Sequence, residues 1–117
     1  MSSCTSMIYD TENIFAKILK KEIPCESVFE NEFILAFKDI NPQAKTHILI
    51  IPKGEYLDLS DFLQKASALD ISSFWKSVDE VLVILKLKDK GFQIKTHKGK
   101  EGGQEVFHFH LHLLSNN

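Results

Sequence analysis

Apolar residues recur along this chain with two periods, and the switches between them mark out its elements. In residues 13–22 the positions Ile14, Phe15, Ile18 and Leu19 follow the i, i+1, i+4, i+5 spacing of a helix, with lysines outside. Asp10 or Thr11 stands where a cap is needed, and Pro24 ends the segment. Residues 27–30 and 33–39 read as two strands around the Asn31-Glu32 turn, and Asn41-Pro42 punctuates the chain again. Residues 46–51 are β-rich and nearly all apolar, as in a strand covered on both faces. From 71 to 85, Ile71, Phe74, Trp75, Val78, Val81, Leu82 and Leu85 keep helical spacing throughout. Gly91 closes that region, and residues 92–97 form another strand. The order α, β, β, β, α, β, β contains two links short enough for hairpins. It predicts an α+β domain: a mainly antiparallel sheet of about five strands with two helices on one side. Trp75 and Leu87 are candidates for an exposed, partner-facing surface of the long helix.

The last apolar run has period two and carries histidines in its gaps. Residues 108 to 112 read His-Phe-His-Leu-His, which places three of the five histidines of the chain in one short segment. Alternate side chains of a strand share a face. A strand here stacks His108, His110 and His112 about 6.5–7 Å apart. Phe107, Phe109, Leu111 and Leu113 then point the other way, into a core. The segment before it, Gly99-Lys-Glu-Gly-Gly-Gln, is a glycine-rich loop.

Composition narrows the partners. A chain of 117 residues forms one domain with room for a real core. Residues 1–10 are polar and lack the apolar stretch of a secretory leader, so they are expected as a disordered extension to a domain spanning 11–117. No apolar run is long enough to cross a bilayer. Cys4 and Cys25 have no metal-type spacing and suit a reducing, cytoplasmic setting. A net charge of −2 argues against nucleic acid as a partner. All 14 basic residues are lysine. A bound phosphate must therefore be held by Lys, His, hydroxyls or backbone N–H groups, because no guanidinium clamp is available.

Three chemistries fit three imidazoles on one strand. They can be silent surface residues. They can bind a metal, since imidazole is a common zinc ligand. Yet the outer pair is about 13 Å apart at strand rise, so further ligands would have to come from His47, His97 or a carboxylate. Or they can catalyse: neutral imidazole is a competent nucleophile near neutral pH and the side chain best matched to proton transfer there. Gly99, Gly102 and Gly103 supply the complement, letting backbone N–H groups approach an anion closely. Nucleophile plus anion cradle points to attack on phosphorus.

These residues resemble the histidine triad, or HIT, superfamily. His108-Phe-His110-Leu-His112-Leu-Leu is similar to its signature of three histidines alternating with hydrophobic residues. The likeness continues in Asn13-Ile-Phe-Ala-Lys-Ile-Leu-Lys-Lys-Glu-Ile-Pro, in Ala36-Phe-Lys-Asp-Ile-Asn-Pro-Gln-Ala-Lys-Thr-His-Ile-Leu-Ile-Ile-Pro-Lys and in Gly102-Gly-Gln-Glu-Val-Phe-His. It runs from about Asn13 to Leu114 and is nearest the branch called histidine triad nucleotide-binding proteins. The resemblance implies a single HIT-like domain, usually a homodimer. It implies a hydrolase that binds purine nucleotides such as AMP or GMP and their conjugates. Such an enzyme cleaves nucleoside phosphoramidates or related nucleotidyl bonds through a covalent nucleotidyl-histidine, with neither metal nor cofactor.

By that resemblance His110 is the nucleophile, His108 and His112 orient it and move protons, and His47 lies close by. Phe15, Ile18, Ile23, Phe37, Asp39 and Ile40 wall the base and ribose pocket, with Asp39 on the ribose hydroxyls. His97, Gly102, Gly103, Gln104, Glu105 and Val106 fall on the phosphate and leaving-group side. Two positions depart from the branch. His97 replaces an asparagine, and Glu105 replaces a small hydroxyl residue. An ionised Glu105 repels phosphate unless it turns away or pairs with Lys98 or Lys100. The alternatives are a nucleotide- or partner-binding module with vestigial catalysis, or a dinucleoside polyphosphate hydrolase. The Ile-Pro after the first helix and the Gly-Gly-Gln before the triad lean against the latter.

Overall fold

The computed structural model describes residues 7–117. Of the stretch expected as an extension, residues 1–6 therefore lie outside the described residues. Strands β1 (Ser27–Glu30), β2 (Ile34–Lys38), β3 (Thr46–Pro52), β4 (Gln93–Lys95) and β5 (Leu111–Ser115) form one sheet in the order β1-β2-β3-β5-β4. Every neighbouring pair is antiparallel. Three helices accompany it: α1 (Ile14–Leu19), α2 (Leu59–Lys65) and α3 (Ala68–Ile84). The expected α+β domain with a five-stranded antiparallel sheet holds, with one more helix than the periodicity revealed. That extra helix, α2, is short and buries only Phe62, so it has no stripe to read. Its start is nonetheless encoded, because the Asp58 side chain accepts the Asp61 N–H as an N-cap.

Helices cover both faces of the sheet, not one as expected. The reason lies in β2 and β3, where both sets of alternating residues are apolar. Ile34, Ala36, Ile48 and Ile50 face α2 and α3, in a core with Phe62, Phe74, Val78 and Val81. Leu35, Phe37, Leu49 and Ile51 face the other way and are covered by Phe15 and Ile18 of α1. A strand buried on both faces needs two covering layers. The cap of α1 also differs from expectation: Asn13, not Asp10 or Thr11, accepts the Ala16 N–H at 2.9 Å. The helix ends well before Pro24, at Lys20, and Lys21 follows in the left-handed region at φ 66°.

Leu87 belongs to the core at 1% exposure, whereas Trp75 is exposed at 41%. The expected outward pair is thus a single residue. No helix among the described residues is long and apolar enough to cross a membrane.

For the site, the key anchor is Phe109. Its ring is fully buried and lies 4.9 Å from Phe62 and 5.4 Å from Phe74, centroid to centroid. Burying such a ring contributes about 1.5–3 kcal/mol relative to exposure. Phe109 lies between two histidines, so its burial fixes which side of the chain they occupy.

Candidate active site

The ladder of β5 begins only at Leu111. His108 and His110 precede it in an extended segment tied down by other contacts. The Phe109 N–H donates to the Tyr56 carbonyl at 2.7 Å, and the Thr96 hydroxyl donates to the His110 carbonyl at 2.7 Å. Alternation survives without the ladder: Phe109, Leu111 and Leu113 are all in the core. Phe107 is only half-buried, because the chain bends at residues 106–108. The expected apolar face therefore starts one residue pair later.

Hydrogen bonds assign each imidazole a tautomer. His110 Nδ1 lies 2.7 Å from the His108 carbonyl, which can only accept, so Nδ1 carries the proton. Nε2 of His110 is left with a free lone pair. His108 Nε2 likewise donates to the Pro52 carbonyl at 2.9 Å. At His47 the arrangement is reversed, with Nδ1 accepting the Gln43 N–H at 3.0 Å. His47 therefore bears its proton on Nε2, 3.0 Å from His112 Nδ1 and 3.4 Å from Asp39 Oδ2. The register explains this pairing: His47 is opposite Leu114 and His112 opposite Leu49, which makes the two histidines diagonal neighbours on one face. With its Nδ1 accepting, His112 keeps a proton on Nε2.

Burial keeps the triad neutral. It lowers the His108 pKa to about 4, with the proximity of His110 adding to the shift. It also lowers the His112 pKa to about 4, helped by His110, His47 and His97. His110 is lowered too, chiefly by burial, against the opposing hydrogen bond to the His108 carbonyl. A neutral His110 presents its lone pair at physiological pH. There is a stability consequence. An unfolded histidine titrates near 6.5, so between that pH and about 4 the unfolded chain binds protons that the fold refuses. Stability is therefore complete above the unfolded value and falls as the pH drops through this window. For His108 alone the effect is on the order of 3 kcal/mol. Urea midpoints measured from pH 7.5 downward should decline through this range, and less steeply in His108→Gln. A flat profile for both proteins would show that these rings ionise freely in the fold.

A pocket of about 840 Å³ opens over His110 and His112, within the range of small-molecule sites. One end is apolar, walled by Phe15, Ile18, Ile23, Phe37 and Val106, with the exposed Ile40 at its mouth. The Phe15 ring stands edge-on to His110 with centroids 4.9 Å apart. The other end holds His47, His97, Gly103 and Glu105. Asp39 also lines the pocket, while its Oδ1 accepts the Asn41 N–H at 2.8 Å, so it holds the turn as well. Glu105 is exposed, and no lysine lies within ion-pair distance of it among the described residues; Lys98 is 4.0 Å from Asp58 instead.

Three expected site residues sit off the pocket wall. His108 is fully buried beneath it. Gly102 and Gln104 shape the loop: the Gln104 carboxamide accepts the Gly99 N–H at 2.8 Å and donates to the Leu57 and Val106 carbonyls at 2.8 and 3.0 Å. Gly103 adopts φ 90°, the left-handed region that favours glycine. Two contributors were not anticipated. Gln43 fixes the His47 tautomer from four residues upstream. Tyr9 donates to His108 Nδ1 at 2.5 Å. The Asp10-x-x-Asn13 turn directly after Tyr9 is the one sequence signal that could have drawn notice to it.

Asp39, His47 and His112 bring one ligand atom each within 4.8 Å of one another, a spacing that a metal could bridge. The hydrogen bonds oppose that use. A metal-bound imidazole normally turns its other nitrogen, as N–H, toward an acceptor. His47 Nδ1 faces a donor, the Gln43 N–H. A cation on Nε2 would set two N–H groups against each other.

Known proteins resemble this chain in both sequence and fold. A 14 kDa zinc-binding protein of Zea mays is 44% identical over 107 residues, spanning 90% of this chain and 82% of its own. The crystal structure of a HIT family hydrolase from Legionella pneumophila superposes with a TM-score of 0.81 at 39% identity, covering 91% of this chain and 94% of that one. A histidine triad nucleotide-binding protein from Candida albicans gives a TM-score of 0.78 at 31% identity, covering 87% and 73%. The HIT domain profile matches residues 20–117, which take in the whole sheet and all three triad histidines. By sequence and by fold alike, the chain belongs to the HIT domain family.

Proposed function

We propose that this protein is a purine nucleotide-binding hydrolase that cleaves nucleoside phosphoramidates through a nucleotidyl-His110 intermediate. The observation that carries this reading is the His110 ring: its Nδ1–H is committed to the His108 carbonyl and its bare Nε2 sits in a pocket with one apolar end. The base packs between the apolar walls, and Asp39 takes the ribose hydroxyls with the oxygen that is not bound to Asn41.

In the first step His110 Nε2 bonds to phosphorus as the P–N bond breaks. The leaving amine needs a proton. A phosphate anion beside His112 raises the pKa of that ring, so substrate binding favours its protonation at Nδ1, the nitrogen that carries no proton at rest and accepts from His47. Asp39, within 4.8 Å, offsets the new charge, and His47 turns its Nε2–H to Asp39 Oδ2 at 3.4 Å. His112 then gives its Nε2 proton to the amine. That leaves Nε2 bare and able to take the proton of the water that releases AMP from His110. Atoms and charges balance over the two steps: phosphoramidate plus water gives AMP and amine.

The His47 hydrogen bonds favour a route that needs no metal. The named hydrolase and nucleotide-binding neighbours support the general class. The exposed Ile94 of the edge strand β4 and Phe92 just before it are in keeping with the expected homodimer, and a cytoplasmic setting fits the same reading. The exposed Glu105 favours the second reading, a nucleotide-binding module with vestigial catalysis. One experiment separates the two. Protein treated with chelator is mixed with AMP phosphoramidates labelled in the nucleotide and quenched in alkali, which preserves a histidine–phosphorus bond. The expected result is turnover together with label on the protein. Tight AMP binding without turnover or label would establish the module instead, and turnover restored only by added zinc would overturn the metal-free route.

A further inference from the structure

Tyr9 arrives at the site from the segment before α1, and its approach is built. The Asp10 side chain accepts the Glu12 N–H at 2.9 Å, and the Asp10 carbonyl accepts both the Asn13 side chain at 2.8 Å and the Asn13 N–H at 3.1 Å. Asn13 in turn caps α1. This turn delivers the Tyr9 ring edge-on to the His108 ring, with centroids 5.7 Å apart and the hydroxyl 2.5 Å from Nδ1. His108 is fully buried and its other nitrogen is spent on the Pro52 carbonyl. Tyr9 is therefore the side-chain donor that holds the remaining nitrogen.

We propose that Tyr9 is a positioning residue for the nucleophile, acting through His108. This rests on the reading of His110 as the attacking group. The chain of contacts runs in one direction. The Pro52 carbonyl, which can only accept, holds the His108 proton on Nε2, and the Tyr9 hydroxyl therefore donates to the bare Nδ1. The ring is thereby fixed at both nitrogens, which fixes the residue whose carbonyl accepts the His110 Nδ1–H at 2.7 Å. That last bond decides where the His110 lone pair lies and in which direction it points.

A second effect has the same origin. When His110 Nε2 bonds to phosphorus the ring becomes cationic, and its Nδ1–H bond to the His108 carbonyl strengthens. Protonating His108 would cost Nδ1 the bond it accepts from Tyr9, in a ring that burial already keeps neutral, which disfavours a second cation beside the intermediate. Substrate never touches Tyr9; its contribution lies in the step that uses His110, not in nucleotide affinity.

The test is Tyr9→Phe, which keeps the ring and removes one oxygen. Losing a single positioning hydrogen bond should lower kcat about three- to tenfold, with KM within about twofold. The ring 15N shift of His108 Nδ1, measured without substrate, should move toward the value of an imine nitrogen that accepts no hydrogen bond, while the proton stays on Nε2 at the Pro52 carbonyl. Asp10→Ala, which loosens the turn carrying Tyr9, should shift the same nitrogen in the same direction and serves if Tyr9→Phe folds poorly. Unchanged His108 nitrogens in both variants overturn the proposal whatever the activity. Shifted nitrogens with unchanged kcat overturn the link to His110. Because the nitrogen shifts need no substrate, a protein that hydrolyses nothing would fail the functional reading while leaving the orientation of His108 and His110 still measurable.

Discussion

Replacing His110 by alanine removes turnover of an adenosine phosphoramidate by a factor of at least about a thousand, because the bond-forming atom itself is gone. Nucleotide affinity should change far less. On the proposed reading the base and ribose contacts come from Phe15, Ile18, Phe37 and Asp39, and of these only Phe15 packs against the imidazole. AMP binding by calorimetry should stay within about tenfold, the equivalent of one lost hydrogen bond. His110 is buried at 6% exposure and its Nδ1–H satisfies the His108 carbonyl. The substitution therefore strands an acceptor and should cost about 1–3 kcal/mol of stability. A denaturation curve on the variant separates that loss from the catalytic one. Undiminished turnover in a folded His110→Ala protein would exclude the covalent mechanism.

The second large effect belongs to His112 and depends on the leaving group. As proton donor to the departing amine it should be worth about a hundred- to ten-thousandfold, so His112→Phe should nearly stop hydrolysis of an alkylamine phosphoramidate. The same variant should retain most of the rate of its first-turnover burst of p-nitrophenolate from the p-nitrophenyl ester of AMP, whose leaving group departs as a stabilised anion and needs no proton, while the later release of AMP slows. An equal loss in the first step on both substrates would mean that His112 orients His110 and gives no proton to the leaving group. The contrast is informative because His112 has a fixed resting state. Its Nδ1 accepts from His47 at 3.0 Å, and its proton starts on Nε2. His47→Phe should release that constraint without touching the nucleophile.

Much of the scaffold was legible in advance because it rests on local patterns. The periods of two and about 3.6 located β1, β2, β3, β4 and α3 to within a few residues. They could not find α2, where one buried phenylalanine leaves no stripe. They misplaced α1 relative to the sheet, since covering a strand on one face or two is a property of the whole layer order. Leu87 was misjudged for a similar reason. It follows the last turn of α3 and folds back into the core, a matter of where the chain goes next.

The histidines mark the boundary most clearly. By itself the sequence determined that His108, His110 and His112 share a face and that Phe109, Leu111 and Leu113 anchor it, because alternation is a local property of extended backbone. It did not determine which nitrogen of which ring is free. That choice is made by hydrogen-bond partners distant along the chain: His47 lies 65 positions from His112, Pro52 lies 56 from His108, and Tyr9 lies 99 from His108. Neutral imidazole has one proton and two places for it, so its chemistry is fixed only when something else occupies one of them. The tertiary structure supplied those occupants, leaving one ring with a free lone pair, one with a free N–H and one bonded at both nitrogens.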